Sequence, residues 1–447
     1  MGKLFGTDGI RGVVGESLDG QLAFRVGQAA AQVLNRAEGH RARVFIGKDT
    51  RVSSDMLEAA LAAGVASVGA DAVLLGQIPT PAVAFLTVKD RADAGVVISA
   101  SHNTYEHNGI KIFGARGYKL SDELEDAVEE LALSPDPLPQ AMFSSVGRIT
   151  HDKNAAGRYV AHLAATADED LSGLRVAMDC AHGAAVRTAA DLLSCVGVQY
   201  ELLFDRPNGR NINAQCGSTQ LQALSRRVVE GHFDIGLAFD GDADRCLAVN
   251  ETGEVIDGDK ILAVCALAEK ERGRLVNDAI VTTVMSNLGF YRFARERGLH
   301  VLTTAVGDRH VLEKMLAEGV EMGGEQSGHL IFLRHATTGD GQLTALRLLC
   351  ALARSRGPAS RLLAGFAPYP QVLVNVRVKN EVKNELSDHP AVHAEIDRAN
   401  EALAGDGRIL VRPSGTEPLV RVMVEGREED VVQALADDIA AVVSRLG

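Results

Sequence analysis

The sequence predicts an α/β protein built of three similar α/β domains with mixed, mostly parallel sheets, followed by a smaller α+β domain. Three observations carry this. The chain has 447 residues, more than one hydrophobic core accommodates. Short apolar runs alternate with amphipathic helical stretches over most of its length, the pattern of βαβ units. After residue 367 the pattern changes: Val372, Val374, Val376 and Val378 alternate with Leu373, Asn375, Arg377 and Lys379, as in a half-buried antiparallel strand.

The apolar runs fall at 44–46, 72–75, 95–98, 176–178, 200–203, 235–239, 279–284 and 301–304, with amphipathic stretches at 54–67, 122–133, 185–196 and 260–275 between them. Breaks come at the proline-rich connector 134–139, at the turn 250–253 and at Ala367-Pro368-Tyr369-Pro370. The expected domains are 1–145, 146–253, 254–367 and 368–447. In open α/β sheets, ligands bind beyond the carboxyl ends of the strands, so the loops there are where chemistry is sought.

Composition narrows the function. Lys and Arg number 46 and Asp and Glu 59, a net charge of −13. That disfavours non-specific nucleic-acid or membrane binding, while leaving room for a local basic pocket. Trp is absent, so stacking platforms for single strands are not expected. Six cysteines are scattered singly, without zinc-ligand spacing. No apolar run is long enough to span a bilayer and residues 1–8 carry no apolar leader core. A reduced, cytoplasmic protein is expected.

Six loops carry candidate chemistry. Gly95-Val96-Val97-Ile98-Ser99-Ala100-Ser101-His102-Asn103 runs from a strand into a hydroxyl-bearing turn. Ser101 reads as a hydrolase nucleophile with His102 as base, or as a phosphoryl carrier. Asp240-Gly241-Asp242-Ala243-Asp244-Arg245 also follows an apolar run. Its three alternate carboxylates suit a hard cation such as Mg²⁺; Arg245 stands where an EF-hand loop needs glycine. A nearby metal favours the carrier reading of Ser101.

In Gly323-Gly324-Glu325-Gln326-Ser327-Gly328-His329, Glu325 and Ser327 face one way if the loop is extended, a spacing suited to neighbouring sugar hydroxyls. Val411-Arg412-Pro413-Ser414-Gly415-Thr416-Glu417-Pro418, with Arg421, has the hydroxyls, arginines and turn of a phosphate cradle. The loops 5–12 and 47–51, with Arg11, Lys48 and Arg51, are expected to join Lys111 in a positive pocket around a phosphorylated serine.

In order and over essentially the whole chain, these motifs resemble those of the α-D-phosphohexomutase superfamily. The nearest likeness is to its bacterial subgroup acting on glucosamine phosphate. The likeness rests on residues 4–12, 306–309, 324–329 and 337–341, with Gln326 standing where relatives acting on mannose or glucose phosphates commonly carry Met. The resemblance implies four domains around a central cleft and Ser101 as the phosphoryl carrier. It implies Mg²⁺ held by Asp240, Asp242, Asp244 and a Ser101 phosphoryl oxygen. Glu325, Ser327 and His329 would read the sugar, and Arg412, Ser414, Gly415, Thr416 and Arg421 the non-reacting phosphate. A sugar 1,6-bisphosphate would serve as primer and intermediate, and a hexosamine phosphate as substrate. A homodimer, and a kinase or autophosphorylation as the source of the first phosphoryl group, stay open.

Lys111 is the expected base, its pKa lowered by cations such as Arg11; His102 and His329 are further candidates. Thr104, His107 and His310 depart from the superfamily's usual Pro, Asp and Tyr, and Thr104 is expected to loosen the serine turn. Relatives acting on other hexose phosphates, and a non-catalytic sugar-phosphate sensor, remain alternatives.

Overall fold

The computed structural model describes residues 4–6, 8–38, 40–379, 381, 383–414 and 418–447, without the side chains of 34–38. By internal contacts the chain forms two compact units. One is Met1–Val284 with Leu299–Ala364; the other is Met285–Gly298 with Gly365–Gly447.

The first unit contains three sheets. The seven-stranded one runs, in spatial order, Phe5–Gly6, Gly9–Val13, His107–Gly114, Ala94–Ile98, Arg43–Lys48, Asp71–Gln77 and Ile149–His151. The second runs Val255–Ile256, Cys246–Asn250, Ile235–Phe239, Arg175–Asp179 and Gln199–Leu203. The third runs His300–Thr304, Ala279–Thr283, Met322–Gly324 and Leu330–Phe332.

One design recurs in all three sheets. Parallel strands form one side, and the last of them turns into an antiparallel neighbour: Ala94–Ile98 into His107–Gly114, Ile235–Phe239 into Cys246–Asn250, and Met322–Gly324 into Leu330–Phe332. The connections at these switches, residues 99–106, 240–245 and 325–329, are the serine, aspartate and Glu325 loops. The parallel strands are apolar on both faces because helices cover both; Ala94–Ile98 and Ile235–Phe239 are buried throughout.

Most predicted strands and helices are present. The stretch 185–196 is not one helix: a 3₁₀ turn, Ala184–Arg187, precedes the helix Ala189–Cys195. Thr188 marks the break with φ −125°, outside the helical range, its hydroxyl donating to Gln342 Oε1 at 2.8 Å.

Helices Gly20–Glu38 and Val52–Ser67 pack against each other through glycines. A Cβ on Gly64 would stand 2.1 Å from the carbonyl oxygen of Phe24, and one on Gly27 would stand 2.3 Å from that of Leu61. No helix of the described residues is long and apolar enough to cross a membrane.

In the second unit, Leu419–Gly426 lies between Gln371–Arg377 and Gly407–Pro413, all antiparallel. Val420, Val422 and Val424 pack with Val374 and Val376 onto helices Pro390–Ala402 and Glu429–Leu446, as the valine alternation predicts. The helix Leu288–Glu296 belongs to this unit. Its first amide donates to Glu425 Oε1 at 2.9 Å, and Glu425 also pairs with Arg408 at 2.7 Å.

Because backbone, not a flexible side chain, faces Gly64, Gly64→Ala is expected to destabilise the first unit by about 1–3 kcal/mol. Thermal or urea unfolding, with Gly157→Ala as a control where a Cβ meets nothing within 4 Å, measures it.

Candidate active site

Ser101 is only 1% exposed and sits at φ +52°, in the left-handed region. Non-glycine residues hold that conformation only where their surroundings over-determine it, and here they do. The Ser101 amide donates to Ser99 Oγ at 3.0 Å, and Ser99 Oγ donates to Asp49 Oδ2 at 2.7 Å. Asp49 also accepts Arg51 Nε at 2.7 Å. The Arg51 guanidinium, itself buried, spreads over the carbonyls of the turn. Its Nη2 donates to Ser101 at 3.0 Å and Asn103 at 2.9 Å, and its Nη1 donates to His107 at 3.0 Å and to Thr104.

This corrects two expectations. Arg51 grips backbone and does not line a pocket around the serine, and Lys48 turns instead to Asp55, at 2.7 Å, and Glu58. The absent proline at Thr104 leaves no loose turn, because Arg51 holds the carbonyls of 104 and 107.

The Ser101 hydroxyl donates to Asp240 Oδ2 at 2.5 Å. Asp240, Asp242 and Asp244 are buried and offer ligand oxygens within 4.8 Å of one another. Thr80, at the start of the helix Thr80–Lys89, donates its amide to the Asp242 carbonyl at 2.9 Å and its hydroxyl to Asp242 Oδ2 at 2.6 Å. Asp242 Oδ1 and Asp244 Oδ1 are buried without a hydrogen-bond partner. Two orphaned carboxylate oxygens in a cluster of three carboxylates fit a hard divalent cation. Burial, then Asp244 and Asp242, raises the Asp240 carboxyl well above its ordinary value. Burial would raise Asp244 too, but Lys111 and His329 hold it well below.

Lys111 lies 3.2 Å from Asp8, 3.2 Å from Asp242 and 3.4 Å from Asp244. Burial lowers its ammonium pKa, yet Asp242, Asp8 and Asp244 outweigh burial and hold it well above the ordinary lysine value. The lowered pKa expected of a base is therefore reversed, and Arg11, which pairs with Asp8, is outweighed. His102 is opposite in character: burial, then Arg245 and Arg11, pushes it down to about 4. It is neutral, with Nδ1 3.5 Å from Ser101 Oγ and 3.3 Å from Arg245 Nη1. His329 lies 3.6 Å from Asp244 and 3.7 Å from Asp308. Burial lowers it, but Asp244 and Asp308 raise it to about 9.

The Glu325 loop is not extended. The Gly328 amide closes a turn on the Glu325 carbonyl at 2.9 Å, and Glu325 Oε1 accepts the Gly307 amide at 3.1 Å. Ser327 is exposed at the tip of this turn.

In the second unit, Arg412 and Arg421 are direct cross-strand partners, which sets both on one face of the sheet. Val420 and Val422, of opposite parity, face the helices. Ser414 is 2% exposed; its amide donates to Leu419 at 2.8 Å and its carbonyl accepts Lys383 Nζ at 2.7 Å. Gly415 and Thr416 lie outside the described residues.

Sequence reasoning missed Thr80, Asn213, Lys119 and Asp308. Lys119 bridges Asp8 and Asp308, each at 2.8 Å. Asp308 lay within the quoted 306–309 motif; Thr80 and Asn213 sit in segments with no chemical signature.

Models of the four domains of the phosphoglucomutase/phosphomannomutase family match this chain: alpha/beta/alpha domain I at residues 2–137, domain II at 157–253, domain III at 257–369 and the C-terminal domain at 373–442. The chain belongs to this family. Two relatives, the phosphoglucosamine mutases of Desulforamulus reducens and Moorella thermoacetica, are each 50% identical over 447 residues, covering all of both chains. A phosphoglucomutase/phosphomannomutase family protein from Burkholderia thailandensis has a TM-score of 0.81 at 26% identity, covering 99% of this chain and 97% of its own. The Aspergillus fumigatus N-acetylphosphoglucosamine mutase, solved with GlcNAc-6P and magnesium, has a TM-score of 0.72 at 18% identity, covering 99% and 96%, a likeness of fold. Within the family this chain is most similar to the phosphoglucosamine mutases, and it is an enzyme of the isomerase class.

A cation that binds only the folded protein raises its unfolding temperature. Added Mg²⁺ or Mn²⁺ is expected to raise the thermal midpoint of the wild type and leave that of Asp242→Asn nearly unmoved. Equal shifts in both would remove Asp242 from the metal site.

Proposed function

We infer that the enzyme interconverts α-D-glucosamine 6-phosphate and α-D-glucosamine 1-phosphate through a phosphoserine at Ser101 and a sugar 1,6-bisphosphate, in the cytoplasm, supplying UDP-N-acetylglucosamine synthesis. The observation that carries the mechanism is the Ser101 hydroxyl 2.5 Å from Asp240, beside three convergent carboxylates with two unsatisfied oxygens. The substrate rests on the full-length likeness to phosphoglucosamine mutases.

A phosphoserine at this position puts a dianion at the mouth of the aspartate cluster. A Mg²⁺ held by Asp240, Asp242, Asp244 and the phosphoryl group would neutralise charge on the transferring group. The sugar hydroxyl attacks phosphorus, the bond from phosphorus to Ser101 Oγ breaks, and the proton lost by the sugar hydroxyl ends on the serine oxygen, so the exchange neither gains nor loses a proton overall. The 1,6-bisphosphate then turns over and returns its other phosphate to Ser101.

Within the chain, Lys111 acts as a fixed cation that balances Asp242 and Asp244, the reverse of the base expected from its sequence. His102, neutral and adjacent to Ser101 Oγ, is available there as a hydrogen-bond acceptor, while burial, Arg245 and Arg11 disfavour its protonation. Glu325, Ser327 and His329 are proposed to contact the sugar. Arg412, Ser414, Gly415, Thr416 and Arg421 are proposed to hold the phosphate that is not being transferred, with paired guanidiniums suited to its oxygens. The single and mostly buried cysteines, none in a disulfide, suit a reducing compartment.

Assays of glucosamine, mannose and glucose 6-phosphates in parallel, each primed with the matching 1,6-bisphosphate, are expected to give the highest kcat/KM with glucosamine phosphate. A higher value for mannose or glucose phosphate would overturn the substrate assignment. Intact-mass measurement is expected to find a phosphorylated fraction in the wild type and none in Ser101→Ala, which has no mutase turnover. A phosphate persisting in that variant would place the carrier elsewhere. Comparing the fraction before and after bisphosphate treatment identifies whether the sugar itself can prime the serine.

A further inference from the structure

The serine turn is held from two sides, and the two grips do different work. Arg51 and Asp49 belong to the same sheet layer as the turn and set its internal shape. Asn213 reaches it from the layer that carries the aspartates. Asn213 Nδ2 donates to the carbonyls of both Ser101 and Asn103, each at 2.9 Å, the same two oxygens that Arg51 Nη2 engages.

Asn213 is tied rigidly to the aspartate layer. Its amide donates to the Ala181 carbonyl at 3.0 Å, and the Ala181 amide donates to Asp179 Oδ1 at 2.8 Å. Asp179 ends the strand Arg175–Asp179, which pairs in parallel with Ile235–Phe239, the strand that delivers Asp240. A few residues on, the Gly217 amide donates to Asp179 Oδ2 at 2.8 Å and the Ser218 amide to the Phe239 carbonyl at 2.8 Å. Asn213 has φ +58° and Ala181 has φ +53°, so the segment keeps a backbone that its hydrogen bonds must sustain. The fit leaves no slack: a Cβ on Gly241 would stand 2.6 Å from the Ser101 carbonyl oxygen and 2.9 Å from Asn213 Nδ2.

We propose that Asn213 is a positioning residue that fixes the distance between the serine oxygen and the aspartate cluster, by clamping the Ser101 and Asn103 carbonyls to the layer carrying Asp240. In-line phosphoryl transfer is sensitive to such placement. Asn213 touches no reacting atom, and it acts through the turn. The kinetic consequence rests on the mutase function inferred above.

Two variants separate the side-chain donor from the backbone. Asn213→Asp keeps the size and the tolerance of positive φ but donates no hydrogen bond and sets a carboxylate against two carbonyls. Asn213→Gly keeps the backbone freedom and removes the side chain. Both are expected to lower kcat about 100-fold, the effect of a misplacement near 1 Å. KM should stay within about twofold, as for a loss felt only in the transition state. Amide hydrogen exchange over residues 99–107 in the ligand-free protein is expected to quicken in both variants, with exchange in strand Arg43–Lys48 unchanged.

Wild-type kcat in both variants, or unaltered exchange over 99–107, would overturn the clamp. So would faster exchange spread evenly over the first unit, the mark of a general stability loss. Absence of wild-type turnover on every hexose phosphate would instead defeat the mutase reading, with the exchange comparison still testing the clamp.

Discussion

Three buried carboxylates converging within 4.8 Å set the constraint to which the rest of the site responds. Like charges at that distance in a desolvated site cannot all ionise without compensation. Compensation comes from every direction: Lys111 from the first sheet, Thr80 from a helix start, and His329 from the third sheet. The charges are shared outward as well. Asp8 accepts Arg11, Lys111 and Lys119, and Lys119 passes on to Asp308. Two carboxylate oxygens still lack a hydrogen-bond partner, which fits a cation there. Lys111 is read differently for this reason. Arg11 nearby suggested a lowered pKa, but three carboxylates around one ammonium outweigh one guanidinium.

The recurring switch from parallel to antiparallel pairing explains how three such loops stay rigid. A parallel strand ordinarily leads into a long crossover, and its loop is anchored at one end of the ladder. Here the next strand returns alongside, so each functional loop is pinned at both ends by sheet hydrogen bonds. The loop still lies at the carboxyl ends of the strands, where helix starts such as Thr80 offer amides. The serine turn adds an ion pair buried beneath it. Removing Arg51 would strand a buried Asp49, and leaving one partner of such a pair uncompensated costs several kcal/mol. That pair also supplies the stiffness a proline at 104 would have given.

Much of this was legible in the sequence because it is local. Apolar runs leading to Ser101 and to Asp240 identify strand ends, and alternate carboxylates single out a candidate hard-cation loop wherever it lies in space. The valine alternation after residue 371 is equally local, since side chains in a strand alternate faces by geometry alone. The antiparallel arms His107–Gly114, Cys246–Asn250 and Leu330–Phe332 carry no periodicity of their own and were not predicted. The extended reading of Glu325 and Ser327 failed because Gly328, with φ +92°, allows the chain to turn.

By itself the sequence determined the fold class and singled out the serine loop and the three-aspartate loop as candidates at strand ends, because those depend on residue type and spacing along the chain. Tertiary structure alone decided the charge state of Lys111 and His102, the grip of Arg51 on backbone rather than substrate, and the presence of Asn213 beneath the serine. Each of these depends on groups about 50 to 140 positions apart in sequence. Burial multiplies the effect of such neighbours by removing the water that would screen them, and no spacing along the chain records it.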